Sequence, residues 1–154
     1  LTLLVVDKIQ SLYQGRPVSL KESDALVPIR FLDVFEELEP WTPFAYSESR
    51  SDFEVTPAYS TSTFASLCRL SLVMSDILST IYTERSSDQS PSKLAGERIN
   101  LHKKLRDWGE SLPSHLEVDA TKLRERQFPP PHVFSLQCVL TSLCEQVSHF
   151  PCHS

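Results

Sequence analysis

Glycine is nearly missing from this sequence: Gly15, Gly96 and Gly109 are the only three in 154 residues. Glycine supplies the positive φ angles that tight hairpins and phosphate-cradling loops require, so its scarcity argues against all-β folds and nucleotide-binding enzymes alike. Helices tolerate that poverty best. Long apolar runs are lacking too. The opening Leu1-Thr2-Leu3-Leu4-Val5-Val6 is interrupted by Asp7-Lys8, too early for a signal peptide or a membrane span. With no initiator Met, it reads as the second half of a helix that begins upstream. Positive charge is not in excess either. A net charge of -5 and a pI near 5.5 leave no basic footprint for phosphates, so direct nucleic-acid contact is not expected. The four cysteines, Cys68, Cys138, Cys144 and Cys152, are too few and too uneven for the disulfide framework of a small secreted domain, which favours a reducing, intracellular setting.

What is present is an ordinary globular composition, 40% hydrophobic and 23% charged, arranged in helical periods. Leu1, Val5, Ile9, Leu12 and Tyr13 recur at three- and four-residue intervals and predict a helix over about 1–14. Gly15 stands where a helix end favours a left-handed residue, Arg16 is placed to reach the last free carbonyls, and Pro17 blocks continuation. From about 18 to 62 the chain becomes Pro-rich, acidic and rich in Ser and Thr. Between Pro28 and Thr63 seven acids (Asp33, Glu36, Glu37, Glu39, Glu48, Asp52, Glu54) face only Arg30 and Arg50, and the rest of the chain is neutral. A connection this long is uncommon inside a compact domain unless it packs on something. Phe31, Leu32, Phe35, Leu38, Trp41 and Phe44 therefore predict a strap on a helical surface, with a short helix at Leu32 to Leu38. Further helices are predicted at about 63–85, at 93–112 (Leu94, Leu101, Leu105, Trp108, Leu112, stopped by Pro113) and at 132–148 (Val133, Leu136, Leu140, Leu143, Val147). The last enters through Pro129-Pro130-Pro131. The fold class is all-α, an irregular multi-helix array that forms part of a larger helical domain.

No chemistry-bearing constellation emerges. Cys138, Cys144, His149, Cys152 and His153 match no paired metal-ligand spacing, and buried thiols are the expected fate of the cysteines. There is no GxSxG elbow. His102 and His115 flank Trp108 and read as surface or half-buried polar residues. Glu36, Glu37 and Glu39 form neither a glycosidase pair nor a calcium loop. The basic stretches His102 to Arg106 and Lys122 to Arg126 are interleaved with acids and lack stacking aromatics, so solvent-facing charge accounts for them. No catalytic residue, cofactor-binding residue or metal ligand is assigned.

One resemblance covers nearly the whole chain. Asp7-Lys8-Ile9-Gln10-Ser11-Leu12-Tyr13-Gln14-Gly15-Arg16-Pro17 resembles the signature of the fungal-specific transcription factor domain, the middle homology region downstream of the zinc binuclear cluster in fungal regulators. In that family an acidic residue and a Val-Pro strap follow, and here Asp24 and Val27-Pro28 take those places. Leu105, Trp108, Leu112, Pro113 and Leu116 are similar to the family's Leu-x-x-Trp-x-x-x-Leu-Pro-x-x-Leu helix end, and Pro129-Pro130 to its next helix entrance. After Leu136 the family's aromatic continuation is replaced by Cys138 to Ser154.

The resemblance implies an α-helical regulatory and interaction region, not an enzyme, in a nuclear protein that regulates transcription by RNA polymerase II. DNA and zinc would be bound by a separate N-terminal six-cysteine cluster, and no cofactor is expected in this chain. The implied partners are other parts of the same protein, a second copy in a homodimer, and a small-metabolite effector or co-regulator. A membrane is not among them. The alternative is a generic α-helical scaffold or adaptor. A helical enzyme would require a convergent polar pocket.

Overall fold

The computed structural model describes residues 1–21, 29, 35–42, 55–81, 90–118 and 128–149. The signature positions Asp24 and Pro28, and the stretch Lys122 to Arg126, lie outside them, as do Phe31, Leu32, Phe44, Cys152 and His153. Helix α1 (Thr2–Gln14) leads to a short α2 (Phe35–Leu38), then to a two-stranded antiparallel sheet of β1 (Pro40–Trp41) and β2 (Thr56–Pro57). Helix α3 (Ser60–Ile81), helix α4 (Pro91–Glu110), a 3-10 turn at Ser114–Leu116 and helix α5 (Pro131–Ser148) complete it. The class is mostly helical, as composition and periodicity predict. The predicted loop holds a strand pair, in register Pro40 with Pro57 and Trp41 with Thr56. Pairing continues past it, through Ala58 N–H to the Glu39 carbonyl at 2.8 Å and Tyr59 N–H to the Glu37 carbonyl at 3.0 Å. These bonds tie the strap to the start of α3.

The centre of the array is α3, which contacts α1, α2, α4 and α5, while α4 and α5 also touch each other. Its Leu70, Met74, Ile77 and Leu78 are fully buried against Leu101, Leu105, Trp108 and Leu112 of α4 and its end, and against Val133, Leu136, Leu143 and Val147 of α5. Those stripes follow from three- and four-residue spacing. Both helix entrances use proline, at Pro91 for α4 and Pro131 for α5, where the absent N–H would have had no helical partner. At the other end of α4, Pro113 turns the chain into the 3-10 turn and Leu116 closes the core with no exposed surface.

Several boundaries and faces differ from the sequence expectation. Helix α3 begins at Ser60 and not at 63, because the strap supplies its entrance: Tyr59 takes a left-handed φ of 54°, and the Glu37 carboxylate accepts the Ser62 N–H at 2.8 Å. Helix α1 turns inward a face rotated from the predicted one, which keeps Val5 buried and Leu12 packed on the core. Leu4, Val5, Asp7, Lys8 and Ser11 are buried, whereas Ile9 is 37% and Tyr13 92% exposed. The reason is that the chain after Gly15 returns along the Asp7 and Ser11 side. Among the described cysteines the expected burial holds for Cys68 alone: Cys144 is half-buried and Cys138 is exposed, because Cys138 falls off the α5 stripe defined by Leu136 and Leu143. Burial pushes the Cys68 and Cys144 thiols up from their ordinary pKa.

Candidate functional site

The signature residues at the end of α1 form one joint. Gly15 adopts φ 62° and ψ 40°, the left-handed cap expected there, and its N–H returns to the Ser11 carbonyl. Arg16 N–H also donates to Ser11 O, at 3.1 Å. The reversal after Pro17 brings Ser19 and Leu20 beside α1, where their N–H groups donate to Asp7 Oδ2 at 3.1 and 3.0 Å. Lys8, with no exposed surface, donates from Nζ to Asp7 Oδ2 at 3.2 Å and to the Leu20 carbonyl. Arg16 does not use its side chain on the last helical carbonyls as expected. Its guanidinium reaches Gln14 Oε1 at 2.7 Å and Ser19 Oγ at 3.0 Å, and stands 3.7 Å from Asp7 Oδ1.

Burial on its own would raise the Asp7 pKa. The Leu20 N–H, the Lys8 ammonium acting by hydrogen bond and by charge, and the Ser19 N–H outweigh it, and the carboxyl is held below its ordinary value. Asp7 is therefore held as an anion, and Lys8 Nζ is engaged with it and with the Leu20 carbonyl. Neither is placed to act on a substrate.

The second signature group ends α4. Trp108, 7% exposed, donates its indole N–H to the Ser66 carbonyl of α3 at 3.2 Å, while Leu105, Leu112 and Leu116 fill the core around it. Pro113 then sets His115 against the strap. The His115 ring lies 4.5 Å from the Tyr59 ring, its Nε2 is 3.0 Å from Ser62 Oγ, and the same Nε2 is 3.6 Å from Glu37 Oε1. Serine, histidine and a carboxylate thus meet, but on one ring nitrogen. A catalytic relay needs the serine on one nitrogen and the orienting acid on the other. What these residues do instead is staple α2, α3 and the 3-10 turn together.

A cavity of about 330 Å³ opens between α1, the first turns of α3 and α5. It is lined by Ile9 of α1, by Ser60, Thr63, Phe64 and Leu67 of α3, and by His132, Ser135, Leu136 and Val139 of α5. Among the described residues its wall holds no carboxylate, ammonium or guanidinium group. His132 donates from Nε2 to the Ala58 carbonyl, and Thr63 Oγ1 is buried with no hydrogen-bond partner. A wider and shallower depression of about 590 Å³ is lined by Arg98, Ile99, His102, Lys103, Arg106 and Ser148. That places His102 half-buried beside α5, and Lys104 apart from the others in an ion pair with Asp76 of α3.

No group of metal-ligating residues occurs among the described residues, and no described helix is long and apolar enough to cross a membrane. Sequence reasoning named the two signature groups but not the cavity residues Thr63, His132 and Ser135, nor the pairing of Glu37 with His115. No local pattern marks them, because they converge from segments far apart in the chain. Comparison with protein-family models, with curated proteins and with solved structures finds no match.

Proposed function

We propose that this chain is the regulatory and interaction region of a fungal zinc-cluster transcription factor. It acts in the nucleus on transcription by RNA polymerase II, with DNA and zinc held by a separate N-terminal domain, and it performs no chemistry of its own. The single observation that carries the reading is the joint at the end of α1: Asp7, Lys8, Gly15, Arg16 and Pro17, the residues of the resemblance, act as one unit that fixes the returning chain to the helix. The second signature group, around Trp108, holds α4 to the same central helix. Such a region works by packing. A ligand or partner that binds one helical arrangement better than another shifts the balance by its differential affinity and by no more than that.

The test is a fusion of this chain to an unrelated DNA-binding domain, read by a reporter. Regulation predicts that Asp7→Asn and Trp108→Ala change reporter output at equal protein level. Indifference of the reporter to the fused chain and to both substitutions would sink the proposal. A second reading, a helical adaptor unrelated to transcription, draws on Leu3, Val6 and Tyr13, which are 77%, 41% and 92% exposed along α1. The upstream reading frame separates the two: a CxxCxxxxxxC half-cluster rich in Lys and Arg belongs to the first reading alone.

A further inference from the structure

We infer that the cavity between α1, α3 and α5 binds a small, uncharged, mainly apolar molecule bearing one hydrogen-bonding group, and that the Thr63 hydroxyl receives that group. The inference rests on the regulatory reading for what the ligand does, but not for the binding itself.

Three features of the wall define the ligand. Its volume of about 330 Å³ lies at the lower end of ligand pockets, which run from roughly 300 to 1,000 Å³, so the occupant is smaller than a typical cofactor. Ile9, Leu67, Leu136 and Val139 make it apolar, and the described wall offers no opposite charge to an ion leaving water. Thr63 is 5% exposed and its Oγ1 lacks a partner, an unfavourable state for a buried hydroxyl. Thr63 lines the cavity while its oxygen is shielded. Threonine in a helix populates two χ1 rotamers that exchange the positions of methyl and hydroxyl, and in the inferred complex the alternative rotamer presents the hydroxyl to the ligand. A ligand group that meets it satisfies the only unpartnered buried side-chain atom that lines the cavity among the described residues.

A matched set of probes on one frame tests this: para-ethylphenol, ethylbenzene and para-ethylbenzoate, titrated into the whole chain and followed by methyl NMR. Para-ethylphenol should saturably shift the methyl signals of Ile9, Leu67, Leu136 and Val139, and para-ethylbenzoate should bind at least about tenfold more weakly, the cost of an unpaired buried charge. Thr63→Val keeps the shape and removes the hydroxyl. It should weaken para-ethylphenol about three- to tenfold and leave ethylbenzene unchanged, as expected for one hydrogen bond. Ser135→Trp, a change at the exposed mouth, should block all binding while the melting curve shows a folded chain.

Equal affinity for the phenol and the benzoate overturns the inference, as does a Thr63→Val chain that binds the phenol undiminished. So does a set of methyl signals that moves with protein concentration and not with probe, which would assign the cavity to a second copy of the chain. Saturable binding with an indifferent reporter defeats the regulatory reading alone. A responsive reporter without probe binding defeats this inference alone.

Discussion

Replacing Asp7 by Asn removes one charge from a buried pair and leaves the other in place. Lys8 has no exposed surface and Asp7 is 8% exposed, so the ammonium of the variant faces the amide and the Leu20 carbonyl with no counter-ion. Breaking a buried ion pair from one side costs about 3–5 kcal/mol, most of it the uncompensated charge. Asn still offers one carbonyl oxygen to Ser19 or Leu20, which keeps the loss toward the lower half of that range. Urea denaturation followed by helical circular dichroism measures it, and the double variant Asp7→Asn, Lys8→Met should recover much of the loss because it removes the stranded charge. The pH profile gives an independent reading. The folded pKa of Asp7 is depressed, so its contribution is fully present above the unfolded value of about 3.9 and disappears as pH falls through the lower folded value. The stability difference between the parent and Asp7→Asn should therefore be flat near neutrality and shrink on acidification below about pH 4. A loss under about 1 kcal/mol, or a difference independent of pH, would mean that the joint is solvated and the buried-pair reasoning is wrong.

Gly15→Val forces a β-branched residue into φ 62° and should cost at least about 1–2 kcal/mol by denaturant unfolding, whereas Gly15→Asn should cost less. Trp108→Ala should cost about 3–5 kcal/mol, and Trp108→Phe much less, by roughly one hydrogen bond and the difference in ring volume. Among the described cysteines, Cys138 should react first with iodoacetamide in peptide-mapped mass spectrometry. Cys68, 1% exposed and with its thiol pKa raised, should react only on unfolding.

The helices were legible because their burial follows periodicity: every apolar residue from Leu94 to Leu112 assigned to the α4 stripe is buried. Gly15 and Pro113 were legible for a different reason, since each satisfies a backbone requirement that sequence states directly. The inward face of α1 was legible only in part, at Val5 and Leu12. Its apolar residues point to Ile9 and Tyr13, but the two most polar residues of the segment, Asp7 and Lys8, are buried because they satisfy each other and the returning backbone. A periodicity argument counts them as solvent-facing. The same limit hid the staple of Glu37 with Ser62 and His115, and the meeting of His132 with Ala58, which depend on where the strap lies and not on any local spacing.

The joint and the cavity lie on one helix, which couples them in a way that can be measured. Asp7 and Lys8 hold α1 against the returning chain, and Ile9, the next residue, supplies the wall that α1 contributes to the cavity. If the α1 wall is needed for binding, apparent affinity scales with the fraction of molecules in which α1 is docked, since a ligand bound only by the competent state is weakened by that fraction. In the parent the fraction is near one. If α1 docking in the parent is worth less than the roughly 3 kcal/mol that Asp7→Asn removes, and detachment precedes global unfolding, α1 is docked in only a minority of variant molecules and para-ethylphenol should bind several-fold more weakly. Conversely, probe at a hundred times its dissociation constant adds about 2.7 kcal/mol to the bound arrangement, enough to restore most of the docking but not all of it. Probe should therefore sharpen the α1 methyl signals of the variant more than those of the parent. Identical dissociation constants in the two chains would show that α1 is a bystander to the cavity, and that a ligand there has no purchase on the joint.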